Sequence, residues 1–314
     1  LGSPVAQARA AAFSPDGEYL VVASGDHALR TYRLKDGKLV KTMEGHSALV
    51  RNLVFTPDGR TVISASFDGT LRAWRFPQGQ LLNTIDLGKT EVFSLALSPD
   101  GLVLLYAGSD STVSARSWPG GELLFRLVGH EDTVTNLTAS PGGQVAASAS
   151  RDRQIIVWNY QAGRRLSQFN SGEDLTTQLS FHPVRPVLLV GSLQGNFTIR
   201  STTTGASLAQ VRGHTSALTG LATDPSGSRI FTSSQDGMLC QWDLRVFLAV
   251  YQSQSSSHLD QTALAALQKT VQPGSAGDNW LSFMLDLLRW RQQFDIQIDE
   301  SPHILPVGEF DIQL

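Results

Sequence analysis

Residues 56–69 read Thr56-Pro57-Asp58-Gly59, then Arg60, then Thr61-Val62-Ile63-Ser64-Ala65-Ser66, then Phe67-Asp68-Gly69. Pro-Asp-Gly is a tight-turn signal, the six residues after it are rich in β-branched side chains, and Phe-Asp-Gly is a second turn. The stretch therefore predicts turn, strand, turn. Its landmarks recur along the chain. Pro15, Pro57, Pro99, Pro141, Pro183 and Pro225 lie 42 residues apart. Asp26, Asp68, Asp110, Asp152 and Asp236 keep the same step, with Gln194 standing in once, and so do Gly37, Gly79, Gly121, Gly163 and Gly205. Three registers in phase, with no insertion between them, define six tandem repeats.

Within one repeat the pattern predicts four short strands, at 49–55, 61–66, 70–76 and 80–85 in the second copy. Four strands and their turns fill 42 residues and leave no space for a helix. One antiparallel sheet cannot bury both of its faces alone, whereas radially stacked copies can. The expected fold is all-β, a β-propeller of six 42-residue repeats with six or seven blades, over residues 1–250.

Gly45-His46, Gly129-His130 and Gly213-His214 open repeats two, four and six. Each His is followed by an Asp (Asp68, Asp152, Asp236) and a Trp (Trp74, Trp158, Trp242), with a serine two residues before the Asp (Ser66, Ser150, Ser234). This arrangement resembles the WD40 repeat family over roughly residues 4–247. The resemblance implies a relay in which Asp bonds His, His bonds Ser, and Ser bonds the indole N–H of Trp. Repeat one has Pro4 and Tyr32 at the His and Trp positions; repeat three has Gly88 and Arg116; repeat five has Gly172, Gln194 and Arg200. The odd blades are therefore expected to lack the relay and to be less rigid.

The His–Ser–Asp sets are not read as hydrolase triads. A catalytic serine needs an exposed Oγ beside an oxyanion hole, whereas these lie mid-strand and recur with Trp at blade spacing. A buried polar network that fixes strand register is the expected role. Gly88-Lys89-Thr90 ends like a phosphate-binding loop, but the leading glycine is missing and no helix follows. The single cysteine, Cys240, excludes an intrachain disulfide and a Cys-based zinc cluster, and favours a cytoplasmic setting. No metal or cofactor is expected. A net charge of −3 argues against nucleic-acid binding, and no run of 18 apolar residues is present to span a membrane. The start at Leu1, without methionine, suggests a processed or excised piece, and the excess of arginine over lysine a bacterial source.

The 42-residue step ends after repeat six. Residues 251–314 are expected to form a small α/β extension of two helices and two short strands. Its second helix is apolar on nearly every side, with Trp280 and Trp290 near its ends. It is expected to pack on the propeller, to dock another protein, or to lie as an interfacial helix on a membrane.

The functional expectation is a non-catalytic protein-interaction scaffold or sensor module, part of a larger protein or complex. The alternative is the regulatory domain of a larger enzyme or NTPase. The expected contact surface is the face carrying the loops before each first strand and the hairpins between second and third strands. The residues ahead of the repeat Asp point there, among them Phe67, Arg151, Leu193 and Gln235, with Glu131 and Asp132 adding acidic contacts. An aromatic, an aliphatic and an arginine on one rim resemble an interface hot spot. The competing expectation is that Phe67 folds inward against Trp74 and Arg151 is merely solvated.

Overall fold

The turn residues set the blades. In the computed structural model, which describes residues 8–172 and 174–244, every regular element is a strand. The α/β extension expected at 251–314, with Trp280 and Trp290, lies outside the described residues. The second repeat forms Val50–Phe55, Thr61–Ser66, Thr70–Arg75 and Gln80–Asp86, paired antiparallel in that order. Each strand follows its predicted position to within a residue.

The residue ahead of each repeat proline closes the first turn. Thr56 Oγ1 accepts the Thr61 N–H at 3.1 Å, Ser98 Oγ that of Val103 at 2.8 Å, and Asp224 that of Arg229 at 2.8 Å. His182 fills the same position in repeat five, where its Nδ1 accepts the N–H groups of Val184 and Arg185. Short polar side chains reach their own backbone two to five residues on, which is why they sit at these turns.

The chain divides into two compact units, Leu1–Phe181 with Thr202–Gly205, and His182–Ser201 with Ala206–Leu314. The first contains blades one to four, each a four-stranded antiparallel sheet, and the first strand of blade five, Thr176–Phe181. There the first strands of successive blades stand side by side. Asn52 Nδ2 donates to Ser94 Oγ at 3.3 Å, Leu137 N–H to the same Ser94 oxygen at 3.0 Å, and Asn136 Nδ2 to the Thr177 carbonyl at 2.7 Å. Between these blades lie apolar clusters, one built on Leu105, Val113, Ile156 and Trp158, another on Val21, Leu53, Val62 and Trp74. Second strands such as Val145–Ser150 are buried nearly throughout, while fourth strands such as Arg164–Asn170 are mostly exposed.

In the second unit Val187–Ser192, Asn196–Ser201 and Ser207–Arg212 pair antiparallel, as do Leu218–Thr223, Arg229–Ser234 and Leu239–Asp243. Leu189, Phe197, Ile199, Ile230 and Trp242 form its core.

One irregularity repeats with the blades. The first strands of blades one, two, three, four and six carry a β-bulge that places Arg9, Arg51, Phe93, Thr135 and Thr219 out of ladder register. These residues are again spaced in steps of 42, with one step skipped. A bulge inserts an unpaired residue and re-aims its side chain. In the first unit it raises Arg9, Arg51, Phe93 and Thr135 at equivalent positions on neighbouring strands.

Candidate functional site

Three polar relays and one aromatic stack are the built features of the described chain. In blade two, His46 Nδ1 lies 2.7 Å from Asp68 Oδ2 and its Nε2 lies 2.8 Å from Ser64 Oγ, which also accepts the Trp74 indole N–H at 2.9 Å. Blade four repeats the geometry with His130, Asp152, Ser148 and Trp158 at 2.8, 2.7 and 2.8 Å. In blade six His214 meets Asp236 and Thr232, and Trp242 donates to the Thr232 hydroxyl at 2.8 Å.

The hydroxyl is therefore not the one expected. Ser64, Ser148 and Thr232 occupy the relay, and Ser66, Ser150 and Ser234 do not. Ser66 Oγ donates to the Ala48 carbonyl and accepts the Asp68 N–H at 3.1 Å; Ser150 and Ser234 do the same in their blades. Along a strand, two residues span about 6.6 Å on one face, so one hydroxyl cannot serve both the hairpin and the indole. The Trp74 backbone pairs with Val62, near Ser64, while Ser66 stands at the mouth of the turn.

Proton bookkeeping fixes the direction of the relay. The indole can only donate, so the serine oxygen accepts from it and gives its own proton to a neutral His Nε2. The His Nδ1–H then donates to the carboxylate. Burial pushes the His46 and His130 imidazoles below their ordinary range, against the pull of Asp68 and Asp152. Burial alone would raise the Asp68 carboxyl, but the Thr70 hydroxyl and His46 hold it below its usual value. At Asp152 the N–H groups of Glu131 and Gln154, with His130, have the same effect.

Both shifts make the fold acid-sensitive. Below about pH 6.5 the unfolded histidines take up protons before the folded ones, so stability is full above that pH and declines as pH falls toward the folded values. The lowered carboxylates add a second loss below their ordinary value of 3.8. The urea midpoint is expected to be lower at pH 5.5 than at pH 7.5. An equal or higher midpoint at pH 5.5 would show the imidazoles to be cationic in the fold.

In blades four and six glycine precedes the relay histidine where the indole lies against it, while at Gly45 the φ is +142° and the Arg72 guanidinium is the close neighbour. A Cβ on Gly213 would come 2.1 Å from Trp242 Cη2. The odd blades depart from the relay at both ends. At the positions of the relay hydroxyl and Trp, blade three has Tyr106 and Arg116: Arg116 Nε donates to the Tyr106 hydroxyl at 3.2 Å and the guanidinium lies 5.8 Å from its ring. In blade one, Asp26 pairs with Arg30 instead of a histidine.

The second feature is on the hairpin face of the first unit. The N–H groups of Phe67 and Arg151 donate to the Leu49 and Thr133 carbonyls at 3.0 Å, tying each hairpin to the loop before the first strand. Phe67 does not fold against Trp74: its ring lies 4.6 Å from that of Phe93 on blade three, and the Arg151 guanidinium from blade four lies 5.6 Å over the Phe93 ring. Phe67 and Phe93 are half-buried and Arg151 is exposed. Glu131 and Asp132 are exposed nearby in sequence; the Glu131 N–H binds Asp152 and the Asp132 carbonyl accepts from Ser150. Leu193, 51% exposed, and Gln235 belong to the second unit, so they are not part of this stack. Phe93 was missed from sequence, although it lies 42 residues from Arg51 in the repeat register.

Among the described residues no group of three His, Cys, Asp or Glu side chains could hold a metal ion, and no helix is long and apolar enough to cross a membrane. Antiparallel blades in tandem, every second one locked by a relay, define a β-propeller repeat protein. A family model described as "WD domain, G-beta repeat" matches residues 3–33, 37–75, 79–114, 121–159 and 205–243. The chain belongs to the WD40 family. The stretch left unmatched before residue 205 holds the first three strands of blade five, where Gln194 and Arg200 replace the repeat Asp and Trp. No curated protein matches the chain. A chain in a structure titled "Crystal Structure of Mitotic Checkpoint Complex" is similar at TM-score 0.70 and 23% identity, covering 75% of this chain and 76% of that one. That likeness concerns the fold.

Proposed function

We propose that this chain is a non-catalytic interaction module that binds a protein or peptide partner on the hairpin face of its first unit. WD40 propellers are in general protein-binding scaffolds, and the similar chain comes from a multi-protein complex. The observation that carries the reading is the Phe67–Phe93–Arg151 stack. Two aromatic rings from adjacent blades meet at the surface, and the guanidinium over one of them pairs with no carboxylate among the described residues. Aromatic and arginine side chains dominate interface hot spots because they bring large area with little entropy to lose. Relays brace blades two and four, on either side of the blade that carries Phe93, so less ordering is needed on binding.

The test is recovery of partners from native lysate by wild type and by the double variant Phe67→Ala/Arg151→Glu, at matched melting temperatures. The variant is expected to lose the wild-type partners, since hot-spot truncations cost about 2 kcal/mol or more each. Recovery of the same partners at the same yield would rule this face out.

A further inference from the structure

Beside the aromatic stack the bulged first strands of blades one and two raise two more guanidiniums. Arg9 and Arg51 hold the same repeat position on adjacent strands, and the Asn52–Ser94 hydrogen bond keeps Arg51 level with Phe93 on the next blade. Both arginines are exposed, and neither forms an ion pair or a side-chain hydrogen bond with any described residue. The Arg51 guanidinium is pushed below its ordinary value, first by partial withdrawal from water and then by the like charge of Arg9, with no carboxylate acting the other way. Two adjacent cations with no counter-charge among the described residues are an unfavourable arrangement, and a bound anion would relieve it.

We infer that Arg9 and Arg51 together seat a phosphorylated serine or threonine of the partner, whose neighbouring apolar side chain covers the Phe67–Phe93 pair. The inference rests on the interaction face proposed above and names its ligand chemistry. Charge balance selects the phosphoryl group over a carboxylate. A phosphoserine carries about −1.5 to −2 at neutral pH and offers three acceptor oxygens. A glutamate brings a single charge and leaves one guanidinium uncompensated. Two planar forks can also share one tetrahedral anion, a task in which arginine surpasses lysine.

The probe is an array of degenerate nonapeptides with a central phosphoserine and one fixed leucine walked through the flanking positions, alongside the same arrays with serine or glutamate at the centre. The best sequence is then measured by fluorescence anisotropy against the purified chain. Phosphoserine is expected to bind at least about tenfold tighter than serine, and Arg9→Gln and Arg51→Gln each to weaken it by roughly tenfold. The double variant Arg9→Lys/Arg51→Lys keeps the charge without the forks and is expected to fall between. Equal binding of serine and phosphoserine, or no effect of Arg51→Gln at unchanged melting temperature, would overturn the seat. Glutamate binding as well as phosphoserine would assign an acidic peptide instead, and competition by polyuridylate at equal affinity a nucleic acid; either overturns the inference. If no phosphopeptide binds while Phe67→Ala/Arg151→Glu still loses its native partners, the anion seat fails and the face stands.

Discussion

Ser148→Ala is expected to lower the unfolding free energy by about 2–4 kcal/mol, while Ser150→Ala, two residues along the same strand, lowers it by about 1 kcal/mol. Ser148 Oγ is the sole bridge between His130 Nε2 and the Trp158 indole N–H. Deleting it leaves one buried acceptor and one buried donor without partners, and each orphan costs about 1–3 kcal/mol. Trp158 is 2% exposed, so water cannot step in without opening the blade. Ser150 is also buried, but its Oγ serves the Asp132 carbonyl and the Asp152 N–H at the mouth of the hairpin, beside exposed Glu131, Asp132 and Arg151, where water can reach the freed groups. Urea titrations of the two variants give the comparison directly. Equal losses, or a larger loss for Ser150→Ala, would place the relay through the wrong hydroxyl. Trp158→Phe should fall between them, since it removes the donor but leaves Ser148 with His130.

The same pair of serines shows what the sequence could and could not convey. Strand boundaries were legible because they depend on local chemistry: a capping side chain, Pro, a glycine at positive φ, and alternation between. Position 57–59 decides its own turn. The relay hydroxyl depends on where an indole from the neighbouring strand reaches, which is non-local, and Ser64 and Ser66 share one face of their strand. A signal nevertheless existed. Ser64, Ser148 and Thr232 occur where Trp occurs, and their counterparts Val22, Tyr106 and Val190 occur where it does not. Ser24 and Ser192, at the other position, sit in repeats without Trp, so a serine there does not track the indole.

The interaction face was half legible for a related reason. Phe67 and Arg151 flank the repeat Asp, and hairpin geometry alone sends them to one side. Phe93 and Arg51 lie inside strands, where simple alternation assigns each side chain to one face of the sheet. The bulge breaks that alternation, and bulges of this kind leave no fixed residue type behind: arginine, phenylalanine and threonine all occupy the position. What links structure to function here is the coincidence of the two devices. The hairpin residue of one blade meets the bulged residue of the next, so the contact surface is assembled across blades two, three and four, of which two and four are braced by relays.

Gly69→Ala is therefore expected to damage both stability and binding, with a loss of about 3 kcal/mol against about 1 kcal/mol for the equivalent Gly237→Ala. Both glycines close the hairpin after the repeat Asp with positive φ, +77° and +84°. Positive φ by itself is tolerated at this place, since His27, Ser111 and Arg153 adopt 70°, 59° and 64° there in other blades. The difference is space. A Cβ on Gly69 would lie 2.2 Å from the Gly88 carbonyl oxygen, a backbone atom, whereas one on Gly237 meets no atom of the described residues within 4 Å. The Gly69 carbonyl in turn accepts the Leu87 N–H at 2.9 Å, so the hairpin cannot retreat without breaking its tie to the fourth strand of the blade. Any movement that makes room is carried two residues back to Phe67 and loosens its ring from Phe93. Partner recovery should accordingly fall for Gly69→Ala even at a temperature where the variant is fully folded, and remain intact for Gly237→Ala. Equal melting temperatures for the two variants would mean that the Gly69 hairpin shifts freely. The preorganised aromatic stack would then lose its physical basis.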